Sequence, residues 1–269
     1  MRCFKVTVEF DGTEFCGFQL QAGQRSVQGE IERAVQQITG QPVRVVGAGR
    51  TDAGVHAMGQ VVGFRADTRI PIERMAAALN SALPRDVAAV RAVEVDPGFH
   101  ARFSAVSRAY AYLILLRDSP SALFRRYAWH LPVPLDVGAM QEAARRLEGT
   151  SDFAAWAGAS ETVTTVRTVT RCRLRQHGPF LMVHVEANAF LKGMVRTIVG
   201  TLVQVGLGRR APEEVDRITG SRDRSQAGPS APAHGLCLVR VRYPRIGIQG
   251  GARSAGRSSQ DRGATDEDL

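Results

Sequence analysis

Apolar and polar residues alternate strictly near the start of the chain. Residues 3–10 carry Phe or Val at every second position, with Lys, Thr and Glu between them. This period of two predicts a half-buried β-strand. From Val27 to Ile38 the apolar residues recur at helical spacing, and Gly40 suits the C-terminal cap of that helix. The chain therefore begins with a strand followed by an amphipathic helix.

Similar patterns continue along the rest of the chain. The order of a strand, a helix and then pairs of strands occurs twice. Further strands are predicted at residues 43–46, 61–64, 87–95, 110–116, 169–176, 180–186 and 236–243. Further helices are predicted at residues 72–83 (before Pro84), at 137–147 (capped by Asp136), at 194–205 and after Pro212. Connections are hairpin-like more often than crossovers, so we expect an α+β fold of two similar halves with mainly antiparallel sheets.

The boundary between the halves is expected near residues 103–108, which gives domains 1–105 and 106–246. Residues 247–269 are rich in Gly, Ser and Arg and end in an acidic run, so we predict a disordered tail. Residues 222–234 are rich in Ser, Pro, Ala and Gly and contain two arginines. They suit either a loop that faces phosphate or a solvated connector.

Charge is the most informative feature of the composition. The 269 residues are 44% hydrophobic and 23% charged, as in a globular protein, and the formal net charge is +9. This surplus indicates a polyanionic partner or simply a soluble basic surface, and composition alone does not separate the two. The four cysteines form no CxxC pair, and no segment resembles a signal peptide or a membrane span. We therefore expect a cytoplasmic protein.

The densest local signal is GAGRTDAGVHA at residues 47–57, where three glycines surround Arg50, Asp52 and His56. One interpretation is an ordinary Gly-rich turn whose Asp bonds its own backbone. A second unusual feature is Arg196, a charged residue in a predicted helix whose other residues are apolar on nearly all sides. Such an Arg either extends to the surface or needs a carboxylate or phosphate partner. We expect it to pair with Asp52 and to fix the direction of that carboxylate.

Aromatic residues are interleaved with arginines at residues 99–104 (FHARFS) and 107–112 (SRAYAY). Such a mixture can stack an unpaired base and hold phosphates. The alternative is that Tyr110 and Tyr112 share one face of a strand and simply pack. We expect packing for Tyr112, whereas Tyr110 is nearer the start of the strand and is the better candidate for an exposed ring.

Motifs for cofactors and metals are missing from the sequence. The six histidines are scattered without metal-ligand spacing, and no Walker loop, GxGxxG or GxSxG motif is present. Any chemistry is therefore expected to depend on one carboxylate, without cofactor or metal.

The motif at residues 47–57 closely resembles the signature of the TruA family of tRNA pseudouridine synthases. The resemblance extends from Met1 to about Pro244 through separate motifs in the same order. These are VTVEFDG (6–12), FQ (18–19), FHARFSA (99–105), SRAYAY (107–112), NAFL (188–191), MVRTIVG (194–200) and AHGLCLVRVRYP (233–244).

The resemblance implies a role for four residues. Asp52 would be the catalytic nucleophile, and Tyr110 the ring that stacks on the target uracil. Arg196 would be the basic partner of Asp52, and Arg50 would lie near the phosphate of the flipped nucleotide. The family's fold has two α/β halves joined across a basic central cleft. Its members act without cofactor as homodimers on the anticodon stem-loop of tRNA, at positions 38, 39 and 40.

Two other classes of protein share parts of this pattern. A non-catalytic RNA-binding protein could use the same basic cleft. A sugar-directed hydrolase would need a second carboxylate near Asp52 to act as an acid, and the adjacent sequence supplies none.

Overall fold

A computed structural model describes residues 1–158 and 164–244, so the predicted tail at 247–269 lies outside the described residues. The strands of this part are β1 (Arg2–Phe10), β2 (Val46–Gly47), β3 (His56–Ala66), β4 (Val87–Glu94), β5 (Ser107–Leu116), β6 (Trp129–Leu131), β7 (Gly149–Asp152), β8 (Val166–His177), β9 (Phe180–Ala187) and β10 (Leu236–Arg242). The helices are α1 (Val27–Thr39), α2 (Ile72–Asn80), α3 (Val137–Arg145), α4 (Met194–Gly206) and α5 (Glu214–Ser221).

The caps predicted at Gly40 and Asp136 are confirmed, and Ser26 is a further cap that was not predicted. Ser26 caps α1 by accepting a hydrogen bond from the Gly29 N–H, and Gly40 ends the helix with φ 74°. Asp136 caps α3 in the same way through the Ala139 N–H. The alternating residues of β1 separate a buried apolar side from a more exposed polar one. These confirmed elements place the predicted faces toward the core.

The strands form one continuous sheet in the order β4-β1-β3-β10-β5-β9-β8-β7, with β2 paired to β3 and β6 to β5. The pairs β10–β3 and β5–β6 are parallel, and the other pairs are antiparallel. The predicted mixed α+β fold with mainly antiparallel pairing is therefore confirmed. Strands from before residue 105 meet those from after residue 106 at β3 and β10, so both parts of the chain share one sheet.

Some predicted boundaries were wrong. The strand predicted at 43–46 is reduced to β2 (Val46–Gly47), and β3 begins at His56 rather than near residue 61. β3 pairs with β1 on one side and β10 on the other. This backbone pairing extends the strand over residues whose side chains do not alternate between apolar and polar. α2 ends at Asn80, because Ser81 caps it before Pro84 is reached. The short strands β6 and β7 were not predicted.

Helix α4 is buried nearly all round, as its composition predicted. The segment 227–231 packs along it: Ala227 and Ala231 are buried, and the Gly228 N–H donates to Thr201 Oγ1 at 2.9 Å. The Arg224 guanidinium lies 3.2 Å from Ser230 Oγ in the same segment. In the segment 222–234, residues 227, 228 and 231 are thus buried, whereas residues 222, 223, 225, 226, 229 and 230 are exposed.

Replacing Gly200 by Ala is expected to lower the free energy of unfolding by about 1–3 kcal/mol. A Cβ at this position of α4 would lie 1.8 Å from the Pro229 carbonyl oxygen, so the 227–231 segment would have to move. Gly220→Ala in α5 is the matched control, because nothing lies within 4 Å of a Cβ there. Denaturant unfolding should show Gly220→Ala as neutral or stabilising. Equal effects of the two substitutions would contradict the close packing at Gly200.

Candidate active site

Asp52 lies in a tight turn between β2 and β3 that backbone contacts hold in place. Asp52 forms an isolated antiparallel bridge with Gly17, and the Phe18 N–H donates to the Thr51 carbonyl at 3.0 Å. Gly17 has φ +119°, and a Cβ there would lie 2.8 Å from the Thr51 oxygen, so only glycine fits without strain. The turn therefore presents the Asp52 carboxylate in a defined direction, with 32% of its side chain exposed.

Arg196, in the first turn of α4, lies beside this carboxylate. Its Nη1 atom is 3.4 Å from Asp52 Oδ2, and its side chain is 25% exposed. Its Nε–H donates to the Ala231 carbonyl at 2.7 Å. The structure thus brings together the two residues that the sequence analysis paired. Because both side chains are partly exposed and the contact is long, the ion pair orients Asp52 more than it stabilises the fold.

Tyr110 is buried rather than exposed, which contradicts the expectation of an open ring. Only 8% of the residue is exposed, and it belongs to the hydrophobic core. Its ring packs edge-on against Phe190, with the ring centroids 5.1 Å apart. Burial raises the pKa of Tyr110, and the charge of Asp52 raises it further while Arg108 opposes this. Tyr110 is therefore a neutral phenol near Asp52.

Tyr112 packs in the core, as expected. It is fully buried, and its hydroxyl donates to the Pro232 carbonyl at 2.8 Å. Arg50 is exposed on the loop that precedes Asp52. Among the described residues, the Asp52 carboxylate is ion-paired with Arg196 and not with Arg50. The structure therefore leaves the Arg50 guanidinium at the surface beside the site.

Arg108 is a buried cation that the sequence analysis did not single out. Its guanidinium donates to four backbone carbonyls: Ala48 at 2.9 Å, Arg102 at 2.5 Å, Ala105 at 3.1 Å and Asn188 at 2.8 Å. Burial lowers the pKa of Arg108. These acceptors come from the Asp52 loop, the connection before β5 and the residue that follows β9. Arg108 thus fixes the Asp52 loop to the second part of the chain.

His56 connects further segments around the same turn. Its Nδ1 atom lies 3.0 Å from the Gly12 backbone nitrogen and 3.1 Å from Asp11 Oδ1. Its Nε2 atom lies 2.8 Å from the Arg126 carbonyl oxygen and 3.2 Å from the His234 carbonyl oxygen. A Cβ on Gly54 would contact Ala233 at 3.3 Å. Residues 233 and 234 therefore lie against the segment that follows Asp52.

Metal sites and membrane spans are both missing from the part of the chain that the structure describes. Among residues 1–158 and 164–244, no group of three or more His, Cys, Asp or Glu side chains is placed to hold a metal ion. No helix within these same ranges has the length and apolar character needed to cross a membrane.

Comparison with known proteins shows what the chain is related to. The family model described as tRNA pseudouridine synthase matches residues 6–104 and 143–244. A relative from Moorella thermoacetica named tRNA pseudouridine synthase A is 48% identical over 246 residues, which cover 90% of this chain and 100% of the relative. A relative of the same name from Thermoanaerobacter sp. strain X514 is 43% identical over 244 residues, which cover 90% of this chain and 100% of the relative.

These matches extend over nearly the whole described chain and define an enzyme that modifies RNA. The chain belongs to the TruA family of tRNA pseudouridine synthases. It is accordingly an isomerase that acts on tRNA.

Proposed function

We propose that this enzyme isomerises uridines 38, 39 and 40 in the anticodon stem-loop of tRNA, with Asp52 as nucleophile and without a cofactor. The observation that carries the proposal is the Asp52 carboxylate, held by a glycine-dependent turn, oriented by Arg196 at 3.4 Å and close to the buried ring of Tyr110. This arrangement offers one directed carboxylate whose charge acts on a buried aromatic ring. It matches a reaction that breaks a glycosidic bond and retains the released base.

Pseudouridine formation requires the C1′–N1 bond of uridine to break and a C1′–C5 bond to form. In the proposed route an Asp52 oxygen attacks C1′, and the bond electrons leave with N1 as a uracil anion. The uracil turns, C5 attacks C1′ and displaces the carboxylate, the C5 hydrogen leaves as a proton, and N1 takes up a proton. Removal of a C2′ proton by Asp52 is a second route through the same carboxylate. Neither route changes the overall oxidation state or adds a group.

The remaining residues have roles that follow from their positions. Flipping a uridine out of the RNA stack costs a few kcal/mol of stacking free energy, and contacts in the pocket must offset this cost. We propose that Tyr110 stacks on the uracil after Phe190 is displaced from its edge, and that exposed Arg50 binds the phosphate of the flipped nucleotide. The Tyr110 phenol stays neutral, since its pKa is raised by burial and by Asp52. An apolar ring can then let the detached base rotate.

We further propose that residues 1–105 and 106–246 act as two halves on either side of a basic cleft, and that the enzyme works as a homodimer. The net charge of +9 supports binding of a tRNA backbone. The pairing of β10 with β3, the strand that follows Asp52 in the chain, supports a site between the two halves.

The position on tRNA is tested with purified protein and tRNA transcripts that each carry one uridine, at position 38, 39 or 40 or in the T-arm. Carbodiimide labelling and primer extension should detect pseudouridine at the three anticodon-arm positions and none in the T-arm. Pseudouridine formed only outside the anticodon arm would contradict the proposed site. Release of free uracil would indicate a hydrolase instead.

Tyr110→Phe is expected to retain most of the turnover, whereas Tyr110→Ala should lose about 10–100-fold. The reason is that the proposed role requires the ring face and not the hydroxyl, and stacking of one base contributes about 1–3 kcal/mol. Tritium release from C5-labelled tRNA measures both variants, and thermal unfolding shows whether Tyr110→Ala still folds. Equal losses in the two variants would assign the role to the hydroxyl.

A further inference from the structure

One large aromatic side chain in the connection before β5 is exposed to solvent. Phe103, in the connection between β4 and β5, is 75% exposed, although burying a Phe side chain normally stabilises a fold by roughly 1.5–3 kcal/mol. The reaction described above does not use Phe103. An exposed aromatic ring on a surface that binds RNA suggests a contact to a base.

The backbone around Phe103 is fixed by its own hydrogen bonds. His100 Nδ1 lies 3.2 Å from the backbone nitrogens of both Arg102 and Phe103 and accepts from their N–H groups. The His100 N–H donates to Ser104 Oγ at 3.1 Å, and the Ser104 N–H donates back to the His100 carbonyl at 2.9 Å. This closed set of bonds orders the turn before any ligand binds. A contact made by Phe103 therefore costs little conformational entropy.

The turn combines an aromatic stack with a positive charge. The rings of His100 and Phe103 are stacked with centroids 4.4 Å apart and an interplanar angle of 30°. The Arg102 guanidinium lies 5.5 Å from the centroid of the Phe103 ring. An aromatic face next to a guanidinium matches a nucleobase and its phosphate, because the ring stacks on the base and the cation pairs with the phosphate.

The turn is tied to the loop that carries Asp52. The Arg108 guanidinium donates to the Arg102 carbonyl at 2.5 Å and, through the same Nη2 atom, to the Ala48 carbonyl at 2.9 Å. Ala48 precedes Asp52 by four residues. Arg108 therefore joins the turn that carries Phe103 to the loop that carries Asp52.

We propose that His100 and Phe103 form a stacking platform for an unpaired base of the tRNA substrate next to the reacting uridine, with Arg102 on an adjoining phosphate. The proposal rests on the proposed action on the anticodon stem-loop, which offers unpaired bases. The platform holds the loop open while the target uridine occupies the pocket. It acts on substrate binding, and the bond-breaking step stays with Asp52.

The test uses Phe103→Ala, Phe103→Leu and Phe103→Trp in the full-length protein. The Kd for tRNA and the KM should rise about 10–100-fold for Phe103→Ala and Phe103→Leu, since a single stacked base supplies about this factor. Phe103→Trp should retain binding close to that of the unchanged protein. Leu123→Ala is the matched control: Leu123 is 80% exposed and lies away from this turn in sequence, and its loss should leave binding unaltered.

A spectroscopic signal separates stacking from general loss of apolar surface. Anticodon stem-loops with 2-aminopurine at single loop positions are bound to Asp52→Asn protein, in which the reaction is blocked. Fluorescence at one loop position should be quenched by this protein, and the quenching should be lost when Phe103→Ala is combined with Asp52→Asn. Quenching at no position, or equal binding by Phe103→Leu and the unchanged protein, would overturn the platform.

Two further outcomes bear on the platform. If Phe103→Ala dissociates the protein into monomers in analytical ultracentrifugation while the tRNA affinity is retained, the ring contacts a second copy of the chain, and the proposal is wrong. If the unchanged protein modifies only uridines outside the anticodon arm, the proposed function fails on its own. The quenching measurement still reports whether Phe103 stacks on a loop base, so the two failures are distinguishable.

Discussion

Replacing Asp52 by Asn is expected to reduce the turnover of tRNA by at least about 10⁴-fold, while tRNA binding is retained. Asn is nearly isosteric with Asp and can keep the backbone bridge to Gly17. It lacks the negative charge that attacks C1′ or removes the C2′ proton, so both proposed routes are blocked. The loss should therefore be confined to the chemical step.

Turnover is measured as tritium release from C5-labelled tRNA with enzyme in excess, and binding is measured separately by filter retention. Asp118→Asn serves as the control for charge, because Asp118 is exposed in the connection that follows β5. It should change the net charge equally and leave turnover intact. Full turnover by Asp52→Asn would remove Asp52 from the nucleophile role, and loss of binding with unchanged single-turnover rate would assign it to tRNA recognition.

Much of the fold follows from local patterns in the sequence. The alternation in β1 and the caps at Ser26, Gly40 and Asp136 decide where these elements begin and end. The short strands β6 and β7 could not be predicted, because each exists only by pairing with a distant strand, β5 and β8 respectively. The extra length of β3 has the same origin. In these segments, pairing with distant strands decides the secondary structure, and the alternation of apolar and polar side chains does not.

The site could be predicted where a side chain conflicts with its surroundings. Arg196 in an apolar helix required a partner, and Asp52 in a Gly-rich turn supplied one. Arg108 and His56 gave no such signal, since their main partners are backbone carbonyls of distant segments. The predicted exposure of Tyr110 was wrong, because position along a strand does not reveal which side chains pack on its face. Side-chain patterns therefore identify charged pairs better than they identify groups that bind backbone.

Arg196→Ala is expected to lower turnover by about 10²–10³-fold, as found when one oriented electrostatic group is removed from an active site. The free energy of unfolding should fall by about 1–3 kcal/mol, chiefly because the buried Ala231 carbonyl loses its donor. Arg196→Lys keeps the charge but not the planar fork that reaches both Ala231 and Asp52. The turnover and the stability of Arg196→Lys should therefore lie between those of Arg196→Ala and those of the unchanged protein.

The two effects of Arg196 can be separated by combining Arg196→Ala with Asp52→Asn. For stability, the coupling energy between the two sites is expected to be below about 0.5 kcal/mol, because the partly exposed pair at 3.4 Å contributes little. For turnover, the double variant should be no slower than Asp52→Asn alone, since Arg196 acts through the carboxylate that is already lost. If the fold-losses in turnover of the two single variants multiply in the double variant, Arg196 contacts the tRNA independently of Asp52. A large coupling energy between the two sites in the free energy of unfolding would instead mean that the ion pair mainly stabilises the fold. Its effect on turnover would then be indirect.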